Sequence, residues 1–526
     1  MSSGATLLSI AGHDPSGGAG IGTDLAVWQA MGLHASSVCT ALTVQDAEGV
    51  RELQPTPLPV LRGALAAALR ELRPSAVKLG MLGGAQAAAE VASFCEALDV
   101  PVVWDTVLGA AAGGVPLLDA GPDVLRRLAR AATVITPNRV EAARLLGVEP
   151  WEGEGAPPPA WLRALREQWL QGGRTRAVLL KGGHAQGASS VDWLCTADGV
   201  QALAVPRLPP GPGGRVHGTG CVYASALAGM LAQGADLVQA AVEAQWRTHA
   251  AIAQAWVSPG GRAMANAAAR PGSGDFPALY AGVPAESGAF APLPRAPGLY
   301  PVVPDADWVL RLLELGVDTV QLRAKDLAAA ELRAQVRAAA EAARACGAQL
   351  FINDHWREAL DAGAWGVHLG QEDLMDLRAQ DIESIRGAGL RLGVSTHNPA
   401  ELARAHALRP SYLALGPVWP TTVKATPHAP LGLARLRALA ARCKPLYPLV
   451  GIGGISLERA AAALDCGLDG FAVVSAIVGA DDPAAAVRRG QAIASAALQW
   501  RERLEGRDPP AQGMAPGLPG AMPSAC

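Results

Sequence analysis

The sequence predicts an α/β protein of two domains: a mostly parallel sheet with helices on both faces, followed by a (β/α)₈ barrel. The chain has 526 residues, 50% of them hydrophobic, which is more than one core usually supports. Short apolar runs that end in Gly, Asn or Asp alternate with helical segments along most of the chain. Such alternation is typical of parallel strands joined by helices.

The strands can be named individually. Six runs in the first half are predicted as sheet strands: TLLSIAG, SVCTALTVQ, AVKLGML, PVVWDTVLG, TVITPN and AVLLKGG. A hairpin through Asp198-Gly199 is predicted after them. The second half has eight candidate strands: GLYPVV, DTVQLR, QLFIND, WGVHLG, RLGVST, SYLALG, YPLVGIG and GFAVVS. Eight βα units in about 200 residues fit a TIM barrel, in which function gathers at the C-terminal ends of the strands.

Changes in composition set the domain limits. Residues 263–297 are rich in Pro, Gly and Ala without a hydrophobic period, and we predict a flexible linker there. This places the first domain at 1–262 and the barrel at 298–500. Residues 501–526 are again rich in Pro and Gly and are predicted to be a disordered tail.

Charge and cysteine usage favour small-molecule chemistry. The net charge of −3 is spread along the chain, which gives no electrostatic footprint for nucleic acid or an anionic membrane. The N-terminus lacks the basic and apolar regions of a signal peptide or a membrane span, so a soluble cytoplasmic protein is expected. The 8 cysteines form no CxxC pair and are expected to be reduced packing residues.

Glycine-rich turns in the first half together suit phosphoryl transfer. The loop Gly12–Gly22 follows a strand and precedes a helix, although taken alone it is better explained as a tight structural turn. Lys181 ends a buried run, where an ammonium group is costly unless it meets water or an anion. Gly218, Gly220 and Cys221 open a helix whose N–H groups would stabilise negative charge on a phosphoryl group.

Polar residues at other strand ends extend this candidate site. Asp105 closes the run PVVWD and is a candidate for binding a metal or a phosphate. Asn138 ends a further strand, and Glu141 stands near the following helix start. Glu141 could orient Mg²⁺ through water or could simply interact with the helix dipole.

These motifs resemble the hydroxymethylpyrimidine and phosphomethylpyrimidine kinases of the ribokinase superfamily over residues 5–257. The ordered motifs are AGHDPSGGAG, VQD, KLGML, WDTV, TPNRVE, LKGGH and HGTGC. The resemblance implies a ribokinase-like sandwich and two successive ATP-dependent phosphorylations, of hydroxymethylpyrimidine and of its monophosphate. It also places Asp24, Gln45 and Met81 at the pyrimidine pocket.

Cys221 stands where sugar kinases of this superfamily have a catalytic Asp. A thiol at a helix N-terminus is expected to have a lowered pKa and could deprotonate the substrate hydroxyl. Alternatively the thiol only packs, and the backbone binds the anion. Asp46 replaces a frequent Asn, and Ala111-Ala112-Gly113 replaces a frequent Lys-Ser-Gly; with these departures, pyridoxine remains an alternative substrate.

Charged and polar residues also follow successive strands of the predicted barrel. Acidic residues after adjacent strands can share one hard cation, and neighbouring basic groups can hold oxyanions, a pattern that fits Mg²⁺-pyrophosphate. Gly453, Gly454 and Ser475 fall at strands seven and eight, where such barrels often bind phosphate. Strands two to six are followed by Arg323, Lys325, Asn353, Asp354, Gln371, Glu372, Asp373, Ser395, Thr396, His397 and the run Thr421-Thr422-Val423-Lys424.

The barrel resembles thiamine phosphate synthase over about residues 299–480. The motifs are QLRAKD, FINDH, VHLGQED, LGVSTH, ALGPVWPTTVK, VGIGGI and VVSAI. The resemblance implies that the thiazole phosphate nitrogen displaces pyrophosphate from hydroxymethylpyrimidine pyrophosphate, with Asp354 and Asp373 binding Mg²⁺. Its implied pyrimidine pyrophosphate ligands are Gln321, Arg323, Lys325, Asn353, Ser395 and Lys424. Its implied thiazole phosphate ligands are Thr421, Thr422, Gly454, Val474 and Ser475.

The residues argue against two alternatives to this bifunctional enzyme. A pathway sensor would have lost Lys181 and the candidate Mg²⁺ carboxylates, which this chain retains. A thiazole tautomerase would have no use for the pyrophosphate and Mg²⁺ residues. Val423 replaces a frequent Thr, which could weaken phosphate binding, and His368 and His397 are expected to be structural. The kinase resemblance leaves a homo-oligomer open.

Overall fold

A computed structural model describes most of the chain. It covers residues 4–505 apart from 110–116, 119, 152–154, 172, 184–186, 210, 212–213, 273, 285–287, 422–427 and 445. The predictions for Ala111-Ala112-Gly113, Thr422, Val423 and Lys424 lie outside the described residues, as does the predicted tail beyond residue 505.

The first domain is built on a mixed sheet. Its strands are β1 (Thr6–His13), β2 (His34–Asp46), β3 (Gly49–Pro55), β4 (Ala76–Leu79), β5 (Val102–Trp104), β6 (Val134–Ile135), β7 (Ala177–Leu180), β8 (Ser189–Thr196) and β9 (Val200–Pro206). A short antiparallel ribbon joins β10 (Trp256–Val257) to β11 (Ala263–Met264), and β12 (Ala278–Tyr280) completes the sheet. The order is β12-β9-β8-β7-β6-β5-β4-β1-β2-β3, parallel from β2 to β7 and antiparallel at both edges. The six predicted strands and the hairpin are confirmed.

Helices cover both faces of this sheet. They are α1 (Gly20–Ala30), α2 (Leu58–Leu72), α3 (Ala85–Glu96), α4 (Pro122–Ala131), α5 (Arg139–Leu146), α6 (Pro159–Leu165), α7 (Thr219–Ala232) and α8 (Leu237–Ala253), with a π-helical turn at Arg166–Leu170. Helix α7 is apolar on all sides, so it is buried along most of its length and packs against α1, α8, β4 and β5. Its N-terminus therefore meets the C-terminal ends of the parallel strands.

The second domain is a closed parallel barrel. Its strands are β13 (Gly298–Val303), β14 (Thr319–Leu322), β15 (Gln349–Asn353), β16 (Gly366–Leu369), β17 (Arg391–Thr396), β18 (Tyr412–Leu415), β19 (Leu449–Gly451) and β20 (Gly470–Val473). Each falls within one of the eight predicted runs, so the TIM barrel prediction is confirmed. The helices are α9 (Ala306–Glu314), α10 (Ala329–Cys346), α11 (Trp356–Asp361), α12 (Gln371–Asp376), α13 (Ala379–Gly387), α14 (Pro399–Leu408), α15 (Gly432–Cys443), α16 (Ala460–Leu464), α17 (Ser475–Val478) and α18 (Pro483–Glu505).

Aromatic and aliphatic side chains fill the barrel interior. Tyr300, Phe351 and Tyr412 are almost fully buried and contact one another edge to face or tilted. The hydroxyl groups of Tyr300 and Tyr412 are 2.8 Å apart, which gives both buried oxygens a hydrogen-bond partner. Above this layer the polar strand ends open to the rim of the barrel.

The segment predicted as a flexible linker has regular structure and buried side chains. It contains β11 and β12, and β12 pairs with β9 at the edge of the first sheet. Phe276 is 3% exposed and packs edge to face on Trp246 of α8 and on His406 of α14. The prediction of an irregular linker is wrong here because buried aromatic and aliphatic residues, rather than a hydrophobic period, fix the segment.

The two domains share a packed boundary. One hydrophobic cluster includes residues of α8, β12, α14 and α15. Glu243, 2% exposed, pairs with Arg247 of its own helix at 2.8 Å and with Arg442 of the barrel at 3.0 Å. The Arg442 guanidinium also lies 4.4 Å from the ring centre of Trp246. A buried charge with two partners and a stacked cation favours one relative placement of the domains.

Helix α18 continues through Glu505, so residues 501–505 are helical where a disordered tail was predicted. Among the described residues, no helix is both long and apolar enough to cross a membrane.

Candidate active sites

The glycine-rich turns of the first domain meet backbone to backbone. A Cβ on Gly218, whose φ is +85°, would lie 1.8 Å from the carbonyl oxygen of Gly18. A Cβ on Gly20, whose φ is +62°, would lie 2.3 Å from the carbonyl oxygen of Gly12. Only glycine fits both positions, which brings the loop Gly12–Gly22 against the start of α7.

Lys181 and Asp105 stand over this helix start. Their side chains form an ion pair of 2.9 Å and are 17% and 4% exposed. A Cβ on Gly220 would lie 3.3 Å from Asp105 Oδ2 and 3.4 Å from Lys181 Nζ. Burial by itself lowers the pKa of Lys181, but Asp105 and Glu141 together raise it, so the ammonium stays charged. The structure thus brings together Lys181, Asp105 and the first turn of α7.

Asn138 and Glu141 close the opposite side of this cluster. Asn138 Oδ1 accepts from the Glu141 amide at 2.9 Å, and Glu141 Oε2 accepts from the Asn138 amide at 2.8 Å, which is a capping box. The same Oε2 accepts from the Thr106 hydroxyl at 2.8 Å. Burial raises the pKa of Glu141 despite the nearby Lys181. Glu141 therefore does cap the start of α5. Its carboxylate is also close enough to Lys181 to influence the pKa of that lysine.

Asp24 is buried inside the first domain. Its carboxylate is fully buried and binds Lys78 Nζ at 2.8 and 2.9 Å. The hydroxyl groups of Ser9 and Ser225 donate to the same carboxylate at 2.6 and 2.7 Å. Both carboxylate oxygens therefore already have partners inside the domain, and the placement of Asp24 at the pyrimidine pocket stays a prediction. Gln45 and Met81 are half-buried, and Met81 packs against Gly12.

The expected lowering of the Cys221 pKa is wrong. Burial raises the pKa of this thiol to about 11. Lys78 acts to lower this pKa, and the carboxylates of Asp24 and Asp105 act to raise it. The residue is only 9% exposed. At neutral pH the thiol is therefore protonated, which favours the packing interpretation over the general base.

A further trio near the glycine loop was not found from the sequence. His217 Nδ1 accepts from Arg262 Nη2 at 3.0 Å, so its Nε2 donates to Asp14 Oδ2 at 2.9 Å. Burial raises the pKa of Asp14, but hydrogen bonds from His217 and Ser16 hold it well below its usual range. These bonds pin the two glycine turns together; the only sequence signal was the occurrence of Asp14 and His217 inside the glycine motifs.

The barrel gathers the predicted polar residues at the C-terminal ends of its strands. Asn353 ends β15, and Asp354 follows it with a φ of +63°, a strained value for a residue with a side chain. The Asp354 amide donates to the carbonyl oxygen of His368 on β16 at 3.0 Å. Asp373 lies in the first turn of α12, directly after β16, and accepts from the Gly370 amide at 3.1 Å. Both predicted Mg²⁺ ligands thus follow adjacent, paired strands.

A buried hydrogen-bond chain supports the floor of this site. Gln321 Nε2 donates to the Tyr300 hydroxyl at 3.1 Å, and Tyr412 connects Tyr300 to His368 Nδ1 at 2.7 Å. His368 Nε2 reaches Ser395 Oγ at 2.8 Å. Gln321 is 2% exposed, so the structure places this predicted pyrophosphate ligand under the rim and bound to tyrosine. His368 has the expected structural role and also orients Ser395.

The other predicted ligands that the structure describes also follow strand ends of the barrel. Arg323 is half-buried and Lys325 exposed, both directly after β14. Gly454, with a φ of +68°, has no room for a Cβ, which would lie 2.6 Å from the carbonyl oxygen of Pro420. This close approach brings the turn after β19 against the residues just before Thr421. Val474 and Ser475 begin α17 after β20, and Thr422 and Lys424 lie outside the described residues.

Comparisons with known proteins match both halves. Residues 14–264 match the family model for phosphomethylpyrimidine kinase, and residues 299–477 match that for thiamine monophosphate synthase. The thiamine-phosphate synthase of Cronobacter sakazakii is 54% identical over 200 residues, which are 38% of this chain and 93% of that relative.

Two solved structures show similarities to the separate halves. Phosphomethylpyrimidine kinase from Clostridium difficile is 29% identical with a TM-score of 0.38, covering 45% of this chain and 94% of its own. Thiamine phosphate pyrophosphorylase from Pyrococcus furiosus is 30% identical with a TM-score of 0.34, covering 38% of this chain and 97% of its own. By its curated relatives the chain belongs, through its barrel, to the thiamine-phosphate synthase family; with the phosphomethylpyrimidine kinase domain that the family model identifies in its first half, it is a two-domain enzyme of thiamine biosynthesis.

Proposed function

We propose that the first domain uses ATP to phosphorylate hydroxymethylpyrimidine and then its monophosphate, and that the barrel joins the resulting pyrophosphate ester to thiazole phosphate. The observation that carries the kinase part is the placement of the Lys181–Asp105 pair over the first turn of α7. Among the described residues, no side chain caps the start of α7. Its first N–H groups are therefore available to a phosphoryl group.

In this proposal the kinase domain supplies charge neutralisation and positioning. The Lys181 ammonium and the N–H groups at Gly218 and Gly220 stabilise negative charge on the transferred phosphoryl group. Phosphoryl transfer passes through a loose transition state that asks little covalent chemistry of the protein. The protonated Cys221 thiol is compatible with this, because the helix backbone rather than a thiolate faces the phosphates. Asp105 and Glu141 provide oxygen atoms suited to Mg²⁺ that accompanies ATP.

In the barrel, the proposed reaction breaks the bond between the pyrimidine methylene carbon and pyrophosphate and forms one from that carbon to the thiazole nitrogen. Pyrophosphate leaves with the electrons of the broken bond. Asp354 and Asp373 offer the oxygen donors that Mg²⁺ prefers and would hold it against the leaving group, where it would neutralise charge. Arg323, Lys325 and Lys424 would hold the pyrophosphate oxygens. The electron-rich aminopyrimidine stabilises the carbon as the leaving group departs.

Thiazole phosphate is assigned to the other side of the rim. Thr421 and Thr422 precede Lys424 in the sequence. Gly454 packs against Trp419 and Pro420, which precede Thr421, and Ser475 opens α17. Phosphate sites of (β/α)₈ barrels commonly use the loops after strands seven and eight. The nucleophilic nitrogen would then face the methylene carbon from the side opposite to Asp354.

A one-pot assay tests both halves. Purified full-length protein is given hydroxymethylpyrimidine, ATP, Mg²⁺ and thiazole phosphate, and thiamine phosphate and pyrophosphate are followed. We expect Lys181→Ala to block product unless pyrimidine pyrophosphate is supplied, and Asp354→Ala to block it in either case. Lys444→Ala and Asp307→Ala serve as matched controls away from both sites.

Two outcomes would contradict the proposal. Consumption of ATP without thiamine phosphate, even with pyrimidine pyrophosphate supplied, would remove the barrel assignment and favour a tautomerase. Phosphorylation of pyridoxine in preference to hydroxymethylpyrimidine would remove the substrate assignment of the kinase domain.

A further inference from the structure

Three potential metal ligands meet beside the rim of the barrel, and the proposed reaction uses none of them. Each of His397, Glu401 and His428 offers one ligand atom, and these atoms all lie within 4.8 Å of one another. Within the part of the chain that the structure describes, this is the one such group of three His, Cys, Asp or Glu residues. None of these three residues binds a substrate in the proposed function.

The carboxylate of Glu401 contacts both imidazoles. His397 Nδ1 is 2.6 Å from Oε2, and His428 Nε2 is 3.5 Å from Oε1. The two rings stack with centres 4.1 Å apart and planes at 13°. The ligand atoms of both histidines therefore face one carboxylate from the same side.

The fold holds this carboxylate in place before any ion binds. His397 follows β17, and Asn398 caps α14, accepting from the Glu401 amide at 3.0 Å. The His397 amide donates to Oε2 and the Asn398 side chain donates to Oε1, both at 2.8 Å. Glu401 is 7% exposed as a residue. In metal sites, hydrogen bonds of this kind orient the side chains that coordinate the ion.

A small tetrahedral ion would fit once the 2.6 Å hydrogen bond between His397 and Glu401 opens, since His428 and Glu401 are already 3.5 Å apart. With metal–ligand bonds of about 2.0–2.1 Å, neighbouring donors of a tetrahedral site lie about 3.3–3.5 Å apart. The side chains of His397 and His428 are 22% and 35% exposed, so an ion and its water can enter from solvent.

We propose that His397, Glu401 and His428 bind one divalent transition-metal ion of the Zn²⁺ type, separate from the Mg²⁺ carboxylates. Two imidazole nitrogens and one carboxylate form a common zinc ligand set. Mg²⁺ prefers oxygen ligands, so the excess of Mg²⁺ that the enzyme needs does not compete effectively here. The ion links the start of α14 to the residues preceding α15, and so joins the ends of two successive βα units.

Cobalt titration tests this site with a spectroscopic readout. Full-length protein is stripped with a chelator, returned to excess Mg²⁺ and titrated with Co²⁺, whose visible bands report its ligands. We expect one equivalent with nitrogen and oxygen ligation, displaced by Zn²⁺. His428→Ala should weaken binding by at least about tenfold, as should Glu401→Gln, while the exposed His34→Ala leaves it unchanged.

Two further measurements keep the result unambiguous. Asp354→Ala must retain the Co²⁺ bands, since their loss would assign the ion to the Mg²⁺ carboxylates and overturn the proposal. Far-UV circular dichroism and a melting curve show whether each variant is folded, and Zn²⁺ should raise the Tm of the wild type but not of His428→Ala. Equal affinity of wild type and His428→Ala, or an intense thiolate band, would likewise overturn it.

Discussion

At the scale of single residues, the first domain shows how burial decides chemistry. Cys221 occupies the position from which a base would act, yet burial raises the pKa of its thiol to about 11. Burial acts against the charge of Lys181 too, but the nearby Asp105 and Glu141 carboxylates raise its pKa and keep the ammonium charged. Lys181 and Cys221, which are close together in space, therefore differ in charge at neutral pH: the lysine is charged and the thiol is neutral.

Cys221→Ser should lower the kinase kcat by no more than about tenfold, because the helix backbone stays in place. Removal of a general base usually costs about 10²–10⁴-fold. Lys181→Met should cost on the order of 10²–10³-fold, as removal of a donor to developing charge does. The measurement is steady-state ATP turnover with hydroxymethylpyrimidine. A loss for Cys221→Ser as large as that for Lys181→Met would restore the thiol as base.

Lys78 and Asp24 form a second residue-scale feature, one that acts on stability. Lys78→Met leaves the fully buried Asp24 carboxylate without its cation. Such a change should lower the free energy of unfolding by about 3–5 kcal/mol. Urea unfolding followed by circular dichroism measures this. Arg62→Ala, which breaks an exposed pair with Glu90, should have a much smaller effect; equal effects would mean that the buried pair contributes little.

At the scale of elements, turns rather than helices or strands bring the site residues together. The turn after β19 contacts the connection after β18 because Gly454 has no side chain. The same dependence appears in the first domain, where Gly218 allows α7 to approach the first glycine loop. In each domain two chain segments approach each other backbone to backbone at a glycine with positive φ.

Gly454→Ala should raise the KM for thiazole phosphate at least about tenfold, since an added Cβ meets the backbone before Thr421 and even a small displacement of a binding group is costly. The assay varies thiazole phosphate with pyrimidine pyrophosphate held saturating. Gly316→Ala is the matched control, because Gly316 also has positive φ, +75°, but open space around it. If both variants changed the KM to a similar extent, backbone strain rather than the clash at Gly454 would explain the effect, and the prediction would be contradicted.

At the scale of the whole molecule, the two domains are packed together rather than tethered. Phe276, His406 and Tyr447 lie at their boundary, and His406 Nδ1 is 2.7 Å from the Tyr447 hydroxyl. Burial lowers the pKa of His406 to about 4, with a further contribution from Arg409. The His406 imidazole is therefore neutral at this boundary near pH 7.

This gives the boundary a defined pH dependence. A histidine with a pKa of 6.5 when unfolded and about 4 when folded binds more protons in the unfolded state between these values. Its contribution to stability is complete above about pH 6.5 and is lost as the pH falls toward 4. His406→Gln should show a shallower loss of Tm between pH 7 and pH 5 than the wild type. Parallel pH profiles would contradict the assignment.

Much of the fold and the candidate sites follows from the sequence. The eight barrel strands, the parallel centre of the first sheet, and the positions of Asp354, Asp373 and Lys181 at strand ends all follow from local alternation of apolar runs and turns. These are properties of neighbouring residues, which a sequence displays directly. The glycine turns also carry their conformational requirement locally.

Tertiary structure alone decided the rest, because burial and pairing depend on residues distant in the chain. Lys78 meets Asp24 across 54 positions, and Glu243 meets Arg442 across 199. The protonation of Cys221 depends on its enclosure, and the packing of the predicted linker depends on aromatic residues from both domains. The His397, Glu401 and His428 group likewise exists only because two successive βα connections of the barrel end side by side.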